Sequence, residues 1–285
     1  MILTLLAPAL LAPAPLAPAL LPAASPAQAT SASARAPAKT APAQARPARP
    51  SGPVDNREAR FSRCVTMIAT DPAAARAEAG RWRIAGGGYV ARQCAGLALA
   101  AEKNWGSAAD EFESAAREAQ LARDDRAANY WAQGGNAWLA AGDPAKARLA
   151  LDSALTAGTL EGLQLGEARL DHARALVAAG DLDAARTDID LALTTAGDDP
   201  LAWLLSATLS RRMGNLPRAK GDIAEALKRS ADDASVQLEA GNIAAAGGDE
   251  DRARAAWAEA ARLAPDTPTA RNAVAALRQF DPPKP

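Results

Sequence analysis

Residues 130–154 read YWAQGGNAWLAAGDPAKARLALDSA, and this stretch decides the fold. Two apolar-periodic halves flank Gly142-Asp143-Pro144. Glycine adopts the left-handed conformation that ends a helix, aspartate caps the next one, and proline is favoured in a first helical turn. The second half carries Ala147 and Ala154, with Leu151 between them. The stretch therefore predicts two helices joined by a tight turn.

The same layout recurs along the chain. Lys103-Asn104, Gly142-Asp143, Gly180-Asp181, Gly214-Asn215 and Gly248-Asp249 are each followed by an alanine pair: Ala108/Ala115, Ala147/Ala154, Ala185/Ala192, Ala219/Ala226 and Ala253/Ala260. Phe112, Leu151, Ile189, Ile223 and Trp257 stand within the pairs. Successive first alanines are 39, 38, 34 and 34 residues apart, a period that defines a solenoid of stacked units. Twelve residues before each first alanine is a small residue: Gly96, Gly135, Ala173, Ala207 or Gly241. Small residues let helix backbones approach, and the bulky residue between the alanines is expected to fill the next groove.

These residues resemble the tetratricopeptide repeat, a 34-residue helix–turn–helix unit. Tyr130-Trp131, Gly134-Gly135, Trp138, Ala147, Leu151 and Ala154 carry the resemblance most closely. Gly241, Ala253, Trp257, Ala260 and Pro265 repeat it, as do Trp203, Ala207, Ala219 and Ala226. The resemblance implies an all-α, right-handed superhelical solenoid. Five such repeats are expected over residues 89–267, preceded by a degenerate helical pair over 56–88 and followed by a capping helix over 268–280 and a tail over 281–285. The longer early spacings imply extra residues near Arg123-Asp124-Asp125 and from Gly158 to Gly166.

The first 53 residues are different in kind, with 11 of the 20 prolines and no acidic residue before Asp55. Met1 to Leu21 is charge-free, but its prolines make it unsuited to a membrane-spanning helix of about 20 residues. With small residues at Ala27 and Ala29, and a second such site at Ala32 and Ala34, residues 1–29 read as a cleaved export signal and 30–55 as an extended Ala/Pro linker. The expected location is periplasmic or secreted, or cytoplasmic if the N-terminus is no signal. With 23% charged residues and a formal net charge of −1, no global field favours nucleic acid.

Chemistry-bearing motifs are sparse. Cys64 and Cys94 would lie on neighbouring units and either pair in an oxidising compartment or remain two buried thiols. His172, the single histidine, has no triad or metal-ligand pattern around it and reads as a structural or surface residue. Asp188, Asp190 and Glu225 show no pairing pattern and read as solvated faces. Gly86-Gly87-Gly88 lacks the Gly-Lys-Ser/Thr ending of a phosphate loop. No enzyme activity, metal or cofactor is expected.

The resemblance implies that the first helices line a concave groove holding a peptide or partner helix. Groove positions here are Gln93, Asn129, Asn136, Arg174, Arg211 and Asn242. Amides suit a peptide backbone, and arginine can clamp a carboxylate. The best-known carboxylate-clamping members use a lysine-and-asparagine set, and the lysine places hold Gln93, Ala132 and Leu170. The expected role is a non-catalytic protein-interaction scaffold in the cell envelope. Self-association through convex or terminal surfaces is the alternative, and an enzyme or small-ligand carrier ranks behind both.

Overall fold

A computed structural model describes residues 56–279. The export-signal and linker expectations, and the tail, lie outside the described residues. Thirteen helices are present among them: α1 (Asn56–Ile68), α2 (Pro72–Ile84), α3 (Gly88–Ala101), α4 (Trp105–Leu121), α5 (Ala127–Ala140), α6 (Pro144–Thr156), α7 (Gly162–Ala179), α8 (Leu182–Leu193), α9 (Pro200–Arg212), α10 (Leu216–Arg229), α11 (Ala234–Ala246), α12 (Glu250–Leu263) and α13 (Pro268–Arg278). They pack as sequential pairs, each helix chiefly against its chain neighbours. First helices of successive units also touch, α1 with α3, α5 with α7, and α9 with α11.

The turns behave as their residues demand. Gly142, Gly180, Gly214 and Gly248 have φ between 76° and 84°, the left-handed region. Asp143, Asp181, Asn215 and Asp249 then cap the following helix through their side chains. The first repeat departs from this on both counts. Lys103 holds the same conformation at φ 60° without being glycine, and Asn104 makes no side-chain cap.

All ten ladder alanines are fully buried, and the five bulky residues between them are at most 6% exposed. Their seat differs from the expectation. A Cβ added at Gly96 would lie 2.6 Å from the Phe112 ring. One added at Gly135 would run into Leu151, and one at Gly241 into Trp257. The bulky residue therefore fills the groove inside its own pair, because the missing side chain on the first helix opens the nearest hole. Contacts between units come from larger clusters, such as Ala109 and Phe112 of α4 with Trp138 of α5 and Ala175 of α7.

The extra residues of the early units lengthen helices. With 17 and 18 residues, α4 and α7 are the longest of the thirteen, and Arg123, Gly158 and Gly162 turn the chain at positive φ beside them. Cys64 on α1 and Cys94 on α3 are joined as a disulfide with Cα atoms 6.1 Å apart, within the span such a bond bridges.

Candidate functional site

Side chains from three successive first helices meet in one recess of about 320 Å³. Gln93 comes from α3, Asn129, Tyr130 and Gln133 from α5, and Gln164 from α7, with Arg126 at the N-terminal end of α5. Gln93 donates to the Gln133 carbonyl at 3.4 Å. Asn129 and Gln164 have no side-chain hydrogen-bond partner among the described residues. Tyr130 is 1% exposed, and its hydroxyl has no partner either. Burial pushes the phenol up to about 12, so it stays protonated.

Arg126 is the one cation in that wall, ion-paired through two of its three guanidinium nitrogens while its side chain stays 55% exposed. Its Nε and Nη2 donate to Asp124 at 2.8 and 2.6 Å, and its Nη2 also reaches the Tyr89 hydroxyl at 3.3 Å. Tyr89 donates its own proton to Asp124 at 2.8 Å. The guanidinium, then the tyrosine, holds the Asp124 carboxyl well below the usual carboxylate range.

The remaining groove candidates lie elsewhere on the first helices and are tied to carboxylates of the chain itself. Asn136 donates to Asp171 Oδ2 at 2.7 Å, and Arg174 donates to Oδ1 of the same carboxylate at 2.8 Å. Two repeats further on, Arg211 donates to both oxygens of Glu239, at 2.6 and 3.1 Å. Asn242 adds a bond to Glu239 Oε2 at 3.1 Å and accepts from the Trp257 indole N–H at 3.1 Å. Arg174 and Arg211, expected to clamp a ligand carboxylate, thus clamp internal ones. Asp171 and Glu239 each stand 14 residues before the first ladder alanine of their unit. From there each accepts a donor from the first helix of the preceding unit, forming a staple across the unit boundary. Burial raises the Asp171 carboxyl, opposed by Arg174 and Asn136.

A second set of carboxylates pairs within and between helices, and for Asp188 the solvated-face reading is corrected. Asp188 is buried, accepting from Arg169 Nη1 at 3.0 Å and His172 Nδ1 at 2.5 Å. The other ring nitrogen of His172 lies 3.1 Å from Asp152 without hydrogen-bond alignment. Asp222 occupies the same repeat position on α10 and accepts from Ser206 at 2.5 Å and Ser210 at 3.3 Å. Asp190 bridges Arg186, at 2.8 Å, and Arg218. Glu225 binds Lys228 and Arg229 on its own helix, and those two hydrogen bonds, the Arg229 bond first, lower its carboxyl. A buried carboxylate needs such partners, since an unpaired one is strongly disfavoured. Spacing from the ladder was the available signal: Asp188 and Asp222 each fall three residues after a first alanine.

No group of three or more potential metal ligands gathers among the described residues. No described helix is long and apolar enough to cross a membrane.

Neither a family sequence model nor a curated protein sequence matches the chain. Solved structures do resemble it. PilW, described as a widely conserved type IV pilus biogenesis factor, is similar with a TM-score of 0.64 and 16% identity, over 77% of this chain and 99% of that one. PilF of Pseudomonas aeruginosa gives 0.62 and 16%, over 77% and 96%. BtubC (BKLC) of P. vanneervenii gives 0.55 and 15%, over 80% and 95%. At such identities the likeness speaks to fold alone. The chain has an all-α, tetratricopeptide-like helical-repeat fold.

Proposed function

We propose that the chain is a non-catalytic scaffold that holds a peptide or partner segment along the face formed by its first helices. The observation that carries this is the recess in which Gln93, Asn129, Gln133 and Gln164 converge from three helices with hydrogen-bonding capacity to spare. Amides placed this way suit a polar chain laid across the helices. The ion-paired clusters further along keep those helices in register and belong to the support of the face.

Residues 1–29 act in this reading as an export signal and 30–55 as a tether, placing the repeats in the periplasm or outside the cell. The disulfide between Cys64 and Cys94 accords with an oxidising compartment. N-terminal sequencing of the mature protein tests the export step. A start near Thr30 or Arg35 is expected, and an intact Met1 on cytoplasmic protein would overturn it.

A second reading is self-association through second helices, favoured by the exposure of Leu149 on α6 and Leu191 on α8. Site-specific photo-crosslinking in the native host separates the two. A crosslinker at Gln93 or Gln164 should capture a protein partner, while one at Thr187 or Lys220, exposed on second helices, should not. Capture of a second copy from Thr187 or Lys220 alone would replace the first reading with the second.

A further inference from the structure

We infer that an open notch between the second helices α2 and α4 receives Phe280 and Asp281 of a second copy of the chain, joining copies head to tail. This contact does not draw on the first-helix face and stands apart from the scaffold reading above.

The notch is the place where a repeated feature of the fold is missing. Successive second helices leave a groove between them, and at each later boundary the chain fills it. Between α4 and α6 the filling is Trp138 of α5, whose indole donates to Glu113 at 2.7 Å while Lys146 Nζ lies 4.0 Å from its ring. Between α6 and α8, His172 of α7 stands between Asp152 and Asp188. Between α8 and α10, Arg186 reaches Ser206 and Ser210 of α9, and Arg218 crosses to Asp190. Between α10 and α12, Lys220 extends to Gly247 at the end of α11.

No described side chain does this between α2 and α4. Ala95 and Leu99 of α3 hold the positions of Gly134 and Trp138 in the next repeat, and Gly80 of α2 holds the position of Glu113 and Asp152. A Cβ added at Gly80 would meet no atom within 4 Å. The result is a recess of about 410 Å³ lined by Ala77, Ala79, Gly80, Ala95 and Leu99, with Arg76, Arg83 and Glu111 at its edge. Trp138 shows that a groove of this kind takes an aromatic ring.

The edge favours a carboxylate beside that ring. Arg83 makes no hydrogen bond among the described residues, and its one ion pair there, to Glu111, is 3.8 Å long. Glu111 is already held by Arg92 at 3.0 Å. Arg76 is tied to Glu102 through Nε. Arg83 therefore keeps donors to spare for an incoming carboxylate.

The chain carries the matching pair in Phe280-Asp281, directly after Gln279 at the end of α13. Phe61 and Phe112, the other two phenylalanines, belong to packed clusters. Two residues extend the chain by at most about 8 Å beyond Gln279. Helix α13 packs on α12 and α11, at the opposite end of the array from α2, so only another copy brings the pair to the notch. Such a contact joins two different surfaces, and it repeats into an open chain or closes into a ring.

Analytical ultracentrifugation of the full chain from about 10 to about 300 μM tests this. The mean mass should rise with concentration. Gly80→Leu fills the notch and favours its helix, and Phe280→Ser lies beyond the packed helices, so neither change should disturb the fold. Each should weaken association by about tenfold or more. Mixed in equal amounts, the two variants should form a one-to-one complex and nothing larger, because one supplies only a tail and the other only a notch. Arg83→Glu and Asp281→Arg should each weaken association, and the two in one chain should restore it. A parent chain that stays monomeric throughout would overturn the inference. So would association that survives both Gly80→Leu and Phe280→Ser, which would assign the contact to another surface such as Leu149 and Leu191. If the parent associates but the mixed variants do not pair, the notch does not take the tail and the inference falls.

Discussion

Arg211 of α9 lays its guanidinium across both oxygens of Glu239 of α11, at 2.6 and 3.1 Å, and so joins the first helices of two successive repeats. Glu239 is 6% exposed, which makes this a largely buried pair. Its geometry matches the fork of the guanidinium to the carboxylate, the strongest form of such a contact.

Removing one member should therefore cost more than removing both. Arg211→Leu leaves Glu239 with Asn242 alone and should destabilise by about 2–4 kcal/mol, since a buried carboxylate loses its counter-charge. Arg211→Leu with Glu239→Leu should be milder by about 1 kcal/mol or more. Urea unfolding of the two single variants and the double closes the cycle. Strict additivity would show that the pair does not staple the repeats.

Lys103 occupies a left-handed position that four other repeats give to glycine. Lys103→Gly should stabilise by about 0.5–1 kcal/mol, because the strain of a side chain at φ 60° outweighs the entropy that glycine loses on folding. The reverse change at a glycine turn, Gly180→Lys at φ 84°, should destabilise by about 1 kcal/mol. Thermal unfolding of both reads the signs directly.

The bond between Cys64 and Cys94 closes a separation of 30 residues. By chain entropy its loss in Cys64→Ala/Cys94→Ala removes about 3–4 kcal/mol. A solenoid unit contacts only its neighbours, so the loss should be local. Hydrogen exchange should rise in α1 and α2 while α9 to α12 keep their protection. A uniform rise along the chain would contradict the nearest-neighbour picture.

Asp124 gives the acid limb of stability a definite sign. Its folded-state carboxyl is held far below the ordinary value by Arg126 first, then by Tyr89. A depressed acid contributes stability that is fully present above the unfolded value of about 3.9 and is lost as pH falls through the folded one. Asp124→Asn should thus lower Tm at pH 7, and the gap to the parent should narrow progressively as pH falls below about 3.9 without closing by about pH 3. A constant offset in Tm across that range would mean that the carboxylate charge plays no part.

The ladder was legible because each of its terms is local: turn glycine, capping aspartate and small residues at fixed helical spacing. Asp143 and Gly142 decide their turn within four residues. The charged clusters were not, because Asn136 meets Asp171 across 35 residues and Arg211 meets Glu239 across 28. Only superposing the repeats, which puts Asp171 and Glu239 at one position and Asp188 and Asp222 at another, exposes the pattern. Likewise Gln93 and Asn129 stand at groove positions of the repeat pattern, while Gln133 and Gln164, which complete the recess with them, do not.

The first-helix face is the centre of this account, and the side-chain amides of Gln93, Asn129, Gln133 and Gln164 report on it without substitution. Nitrogen-15 NMR of the full chain should show those four NH2 pairs shifting together when the crosslinked partner's segment is added, with α6 and α8 unmoved. Shifts confined to α6, α8 and α10, with the four amide pairs unchanged, would contradict it.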